Sequence, residues 1–194
     1  IAEHVYFNYI LTDNTYIKRI KTLPNASNIS IDTDGLHINK YWSSSELFND
    51  SPLNGMDSFD LLDNSLANAV ERIVTESDDA INFSLTGGWD SRVVLAYLLP
   101  KYKDKLNLYS FGAESADDIT VPDFIAKEEG LNYTPYVLDN EYLRTFFLPQ
   151  ARLTIKQSSG TRNLKRTHYL YAIQQVSAIS EHLLTGIFGD EVFK

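Results

Sequence analysis

Hydrophobic positions along this chain change their period several times, and each change marks a different element. Over residues 1–42 they come as short runs, VYFNYILT, TYIKRIKTLP and NISIDTDGLHINKYW, which predict strands and turns. Within the last run, Asp34-Gly35 separates two alternating stretches, a hairpin signal. Residues 43–56 are mostly Ser, Asn, Asp, Pro and Gly and read as a linker. A helix follows from about Ser58, with Phe59, Leu62, Leu66, Ala69, Val70 and Ile73 on one face. Ile81–Leu85 predicts a strand leading into the Gly-Gly turn, and a helix from Ser91 is expected to end at Pro100. LNLYSF at 106–111 predicts the next strand. Thr120 to Asp123 resembles a capping box with Pro122 in the first turn, opening a helix that closes at Gly130. YTPYVL at 133–138 predicts a strand that Pro135 confines to an edge. Helices over about 141–156 and 163–180 then precede the strand HLLT at 182–185. Strands alternating with helices predict an α/β fold, a parallel sheet flanked by helices, with ligands beyond the carboxyl ends of the strands.

Composition narrows the class. With 194 residues, 43% hydrophobic and 22% charged, the chain is long enough for one domain plus part of another. It begins at Ile1 and stops just after a second glycine-rich motif, and it reads as an excerpt of a longer protein. The absence of cysteine excludes disulfides, thiolate zinc sites and cysteine nucleophiles here. Seventeen basic against 26 acidic residues give a net charge of −9, which opposes nucleic acid as a partner. No apolar run reaches the roughly 18 residues of a membrane span, so no membrane partner is expected. Sequons occur at Asn25, Asn28, Asn49, Asn82 and Asn132, but Asn82 lies in the predicted central strand, where a glycan cannot fit. The set reads as chance, and the expected location is cytoplasmic.

Candidate chemistry concentrates at INFSLTGGWDSR, residues 81–92. Two glycines after a strand allow a tight turn and close backbone approach. The helix that follows offers unpaired N–H groups and a positive dipole end, an anion site. Thr86 and Ser91 add hydroxyls. Asp90 would repel a polyphosphate unless a divalent cation bridged them, and magnesium binds through one or two carboxylates plus phosphate oxygens. The plain alternative is that Asp90 caps the helix. A second turn, TGIFGDEVF at 185–193, repeats the pattern with Gly186, Gly189, Asp190 and Glu191. If its strand lies beside the first, Asp190 would share the metal with Asp90. Neither GxxxxGK[ST] nor GxGxxG is present, which disfavours a P-loop and a dinucleotide fingerprint.

These motifs carry a family resemblance. SLTGGWDSR is similar to the pyrophosphate loop, S-G-G-x-D-S, of N-type ATP pyrophosphatases, the PP-loop or adenine nucleotide alpha hydrolase-like superfamily. TGIFGDEVF resembles the S-G-x-G-x-D-E-x-F turn of the asparagine synthetase branch. YSFGAESADD with IAKEEGLNYTPYVL is similar to that branch's second strand and helix. TYIKRIKTLPNASNISIDTDGLHINKYW resembles the end of its glutaminase domain. The resemblance divides the chain into a glutaminase-like remnant at 1–42, a linker at 43–56 and an ATP-binding synthetase domain at 57–194, incomplete at its carboxyl end.

The resemblance implies an ATP-dependent amide-forming ligase with ATP and magnesium as cofactors. A small-molecule carboxylate would be activated as an acyl-adenylate with loss of pyrophosphate. An amine, glutamine-derived ammonia in the full protein, would then displace AMP. Carried over by position, Thr86, Gly87, Gly88, Asp90 and Ser91 would hold pyrophosphate, with Arg92 a further candidate. Asp90 and Asp190 would be the magnesium ligands and carry the catalysis. Leu85, Phe111, Gly112, Thr185 and Gly186 would border adenosine. A homodimer is a candidate assembly, and this stretch by itself is expected to be inactive.

The departures matter. Thr86 replaces a serine and keeps the hydroxyl, and Trp89 replaces a smaller apolar residue and is expected to face neighbouring packing. Ile187 stands where asparagine synthetases carry a glutamate that assists the incoming amine. A specialised member cyclising a peptide or metabolite, of lasso-peptide or β-lactam type, is therefore a rival reading. A non-catalytic nucleotide-binding remnant is another. Arg92 reads equally as a ligand-binding or a solvent-exposed residue. Arg162, Lys165 and Arg166 read as a solvated face, and His4, His37, His168 and His182 lack metal-ligand spacing.

Overall fold

The computed structural model describes residues 2–7, 9–48, 56–75, 80–158 and 162–187. They fall into two compact units, Ile1–Ser58 and Phe59–Lys194. The first holds a short helix α1 (Ala2–Phe7), strands β1 (Ser27–Asp32) and β2 (Gly35–Lys40), and a 3₁₀ turn at Ser44–Phe48. β1 and β2 form the expected antiparallel hairpin, Asp32 opposite Gly35, and Gly35 takes a φ of 131° that side-chain-bearing residues avoid. Pairing sets Ile29 against Ile38 and Ile31 against Leu36 on one face. All four are exposed.

The two earlier runs of this unit are not strands. Val5–Phe7 lies in α1, and the stretch after it is closed by local bonds. Leu11 N donates to Glu3 Oε2 at 2.9 Å, and Thr15 Oγ1 donates to Ile20 O at 2.7 Å. Alternation alone does not make a strand. Its N–H and C=O groups need a neighbouring strand, and here nearby side chains take that role.

The second unit continues from α2 (Met56–Thr75) through β3 (Ile81–Ser84), α3 (Trp89–Tyr102), β4 (Leu106–Gly112) and α4 (Asp117–Glu129). β5 (Asn132–Val137), a π turn at Tyr142–Phe146, α5 (Phe147–Gln157), α6 (His168–Val176) and β6 (Leu183–Thr185) complete it. The four strands are parallel in the order β5-β4-β3-β6. This is the α/β fold expected from the pattern, with Pro135 on an edge strand and Gly130 closing α4 at φ 61°.

Alternation along the two inner strands sends side chains to two helical layers. Ile81, Phe83, Leu85, Leu106 and Leu108 pack with Val70 and Val74 of α2, Leu95 and Leu98 of α3, and Ala126 of α4. On the opposite face Tyr109 packs with Ala172 and Val176 of α6, backed by Phe111 and Tyr136. Both faces of β3 are therefore covered, which is why INFS is buried at every position.

Asn82, 1% exposed in β3, serves a structural purpose. Its Nδ2 donates to Val176 O at 2.8 Å and Ser180 O at 3.0 Å, tying the strand to the end of α6. Asn82→Ala leaves these carbonyls without that donor and is expected to destabilise this unit by about 2 kcal/mol. Urea unfolding followed by circular dichroism measures it, and an unchanged midpoint would remove the clamp.

Several elements differ from the sequence reading: the helix expected over 141–156 is a π turn followed by α5, and that over 163–180 is a 3₁₀ turn at Leu164–Arg166 followed by the shorter α6. In α2 the buried residues are Val70 and Val74, while Phe59, Leu62 and Ile73 remain exposed, because the sheet meets only the carboxyl half of that stripe. α3 runs past Pro100 to Tyr102, since a proline this near the end forfeits one hydrogen bond without breaking the earlier turns. α4 starts at Asp117, with Ala116 as its N-cap. Thr120 Oγ1 donates back to Ala116 O instead of capping, and two acids occupy the first turn, where the helix dipole favours them. Among the described residues, no helix is long and apolar enough to cross a membrane.

Candidate functional site

The chain leaves β3 through Leu85 and Thr86, turns at Gly87-Gly88 and enters α3 at Trp89. Gly88 is the N-cap, so Asp90 is the second helical residue and not the cap. That removes the capping explanation for an acid at this position. The three loop N–H groups have internal acceptors. Thr86 N donates to Ser91 Oγ at 3.0 Å, and Gly88 N donates to Thr86 Oγ1 at 3.2 Å. Gly87 N donates to Asp118 Oδ1 at 3.1 Å, a carboxylate brought by the first turn of α4.

Glycine is required here for packing as well as for turning. A Cβ on Gly87 would lie 2.9 Å from the carbonyl oxygen of Asp117. On Gly186 it would lie 2.6 Å from Ser91 N. The ends of β3 and β6 therefore meet the starts of α4 and α3 backbone to backbone.

Beside the loop is a cavity of about 560 Å³. Thr86, Gly88, Asp90 and Ser91 line it from the loop, and Thr185 and Gly186 from the end of β6. Ser84, Tyr109 and Phe111 border it from the sheet, and Tyr169, Ala172 and Ile173 from α6. From β3 the chain goes outward to β4 and β5 and then returns to β6 on the other side of β3. The cavity thus sits at the carboxyl ends of the strands, where the winding reverses, the usual ligand position in such sheets.

Burial raises the pKa of the Tyr109 phenol, and a hydrogen bond with Ser84 partly offsets the rise. Burial likewise lowers that of His168, whose ring lies 5.0 Å from Phe111 and 4.8 Å from Tyr169 between centroids. This side of the cavity is aromatic, while the loop side is polar.

The Asparagine synthase family model matches residues 61–194. The chain belongs to the asparagine synthase family. Among solved structures 21 chains match. One is the glutamine-dependent NAD+ synthetase from Acinetobacter baumannii in complex with ADP, with 14% identity and a TM-score of 0.46. That match covers 76% of this chain and 29% of the synthetase chain. No curated protein sequence matches.

In this asparagine synthase domain the residues singled out from sequence converge unevenly. Thr86, Gly88, Asp90, Ser91, Phe111, Thr185 and Gly186 border one cavity. Leu85 does not: its side chain is fully buried in the core, with its N–H donating to Tyr109 O. Gly87 and Gly112 face α4, and a Cβ on Gly112 would touch Ile119 and Ala116. Arg92 turns back on the loop, its Nε donating to Gly88 O at 3.2 Å and its guanidinium 4.2 Å from the Trp89 ring centroid. Trp89 does not face packing. As the first helical residue it stands 75% exposed and forms part of the cavity wall. Asp190, with Glu191 and Gly189, lies outside the described residues.

Residues that sequence reasoning missed come mainly from α6 and α4. Tyr169, Ala172 and Ile173 have i, i+3, i+4 spacing, so they were visible as a helix face but not as a face toward the loop. Asp118 could have been noticed as an acid following the second strand of the sheet. Among the described residues no group of three or more His, Cys, Asp or Glu side chains could hold a metal by itself. Asp90 and Asp118 border the cavity together, so a cation there would need further oxygens from a bound phosphate, the mixed ligation magnesium takes.

Proposed function

We propose that the cavity holds magnesium-ATP and that the full-length protein uses it to activate a carboxylate for amide formation. One observation carries the reading: the glycine loop, Asp90 and the end of β6 border a single cavity at the switch point of the sheet. In this reading the phosphates lie against residues 86–91 and the purine against the aromatic side formed with Phe111 and Tyr169. A substrate carboxylate oxygen forms a bond to the α-phosphorus as the bond to pyrophosphate breaks. An amine then attacks the acyl carbon, AMP leaves with the bonding electrons, and the nitrogen gives up a proton.

The residues supply orientation and charge stabilisation. The Thr86 and Ser91 hydroxyls can rotate from accepting loop N–H groups to donating to phosphate oxygens. The N-terminus of α3 points its positive dipole end at the growing charge. Asp90, with Asp190 as its expected partner, would hold magnesium, which when bound supplies positive charge to the departing pyrophosphate. Ile187 lies in the cavity wall and has no group to take the proton from the amine. That favours an acceptor other than ammonia, as in a cyclising member of the family. The hairpin of the first unit is read as the end of a glutaminase-like region.

The test is the thermal midpoint of the full-length protein with magnesium-ATP and with ATP plus chelator. Ligand at about 100 times its dissociation constant adds about 2.7 kcal/mol, a rise of roughly 5–10 °C for a domain of this size. A rise that needs the metal is the expected result. No rise in a folded sample at millimolar nucleotide would sink the reading and leave a remnant that keeps the fold alone.

A further inference from the structure

We infer that Asp118 makes the loop select a metal-complexed polyphosphate over a bare one. The inference rests on the reading of the cavity as a polyphosphate site. Of the three loop N–H groups, two are bonded to hydroxyls within the loop and first turn, those of Ser91 and Thr86. The third, on Gly87, is bonded to a carboxylate 31 residues away. Hydroxyls and a carboxylate respond differently to an arriving phosphate. A hydroxyl that accepts from an N–H also has a proton to donate to a phosphate oxygen. A carboxylate has none, and it adds like charge to the site.

The position of Asp118 is fixed by the main chain. The Asp117 backbone packs so closely on Gly87 that a Cβ there would fall 2.9 Å from its carbonyl oxygen. That contact holds the first turn of α4 against the loop whether or not the Asp118 side chain keeps its bond. Asp118 lines the cavity, as Asp90 does. It occupies the Gly87 N–H as a resident anion. A bare polyphosphate must displace it and then remain beside two carboxylates. A polyphosphate that arrives with a divalent cation brings the positive charge that removes this penalty.

The experiment is calorimetric titration of the full-length protein with inorganic pyrophosphate, in excess magnesium and in excess chelator. It uses the wild type, Asp118→Asn, which keeps an acceptor for Gly87 N–H without the charge, and Asp118→Ala. Circular dichroism establishes that each is folded. A unit charge a few ångströms from a polyanion in an exposed pocket is worth roughly tenfold in binding. Asp118→Asn is therefore expected to tighten metal-free pyrophosphate about tenfold while the magnesium complex changes less than about threefold. Asp118→Ala should do the same, and the gain should shrink at high ionic strength, which a purely structural role would not produce. An unchanged ratio between the two forms, or weaker binding of both, overturns the assignment to Asp118. Wild-type protein that binds neither form overturns the polyphosphate reading and this inference with it.

Discussion

Asp90→Asn is expected to abolish most of the stabilisation that the proposed magnesium-ATP complex gives the protein, measured as the shift from the variant's own unliganded midpoint. Asp90 is the second residue of α3, directly after the Gly88 N-cap, and it borders the cavity. Asparagine matches the side chain in size and keeps an oxygen acceptor, so the change removes charge with little change in shape. Losing a charged contact to a buried cation costs roughly 3 kcal/mol, about a hundredfold in affinity. At a nucleotide concentration where the wild type gains about 2.7 kcal/mol, the variant then gains about 0.4 kcal/mol. The midpoint rise falls from roughly 5–10 °C to about 1 °C. Without ligand the helix-dipole part of the loss, a first-turn acid meeting the positive end, is about 1 kcal/mol or less, and the unliganded midpoint of the variant serves as its own baseline. A variant that responds to magnesium-ATP as the wild type does would exclude Asp90 from metal binding.

Gly186→Ala should cost the most stability among conservative changes at the site. The new methyl would lie 2.6 Å from Ser91 N, 2.7 Å from Ser91 Cα and 2.8 Å from the Asp90 carbonyl carbon. All three are main-chain atoms, so no rotamer relieves the overlap. Either β6 or the start of α3 must move, and β6 is paired to β3 through Phe83–Leu184 and Ser84–Thr185. Overpacking of this kind costs roughly 3 kcal/mol, a fall of about 6–12 °C in the midpoint of this unit. Gly88→Ala is the comparator: its added carbon would meet the Thr86 hydroxyl oxygen at 3.3 Å, a group that can rotate. If both variants melt together, the backbone contact at Gly186 is not what the geometry indicates.

What could be read from the sequence depended on how local each cause is. The β3 strand, the Gly130 stop and the edge position of β5 each follow from a few neighbouring residues, and each is found in the structure. The glycine loop was equally legible as a turn. Its glycines, however, invite a ligand explanation, whereas Gly87 and Gly186 are required because two helix starts press on them. That cause lies 30 residues away for Gly87 and nearly a hundred for Gly186, beyond any local pattern. The aromatic wall was hidden for a similar reason. Tyr169 and Ile173 stand out as a helix face, but only the return of the chain to the far side of β3 directs that face at the loop. α1 shows the opposite failure, where a local alternation suggested a strand and no neighbouring strand was there to pair with it.

The frame of the cavity is set by main-chain contacts, Gly87 against Asp117 and Gly186 against Ser91, together with the hydrogen bond from Leu85 N to Tyr109 O. The side chains at its rim, Trp89, Tyr169, Ile173 and Ile187, take no part in those contacts. Heritable change can therefore act on the rim and the frame separately. Under the proposed reading, a substitution at the rim alters which acceptor the cavity admits, while the frame that would position the nucleotide stays as it is.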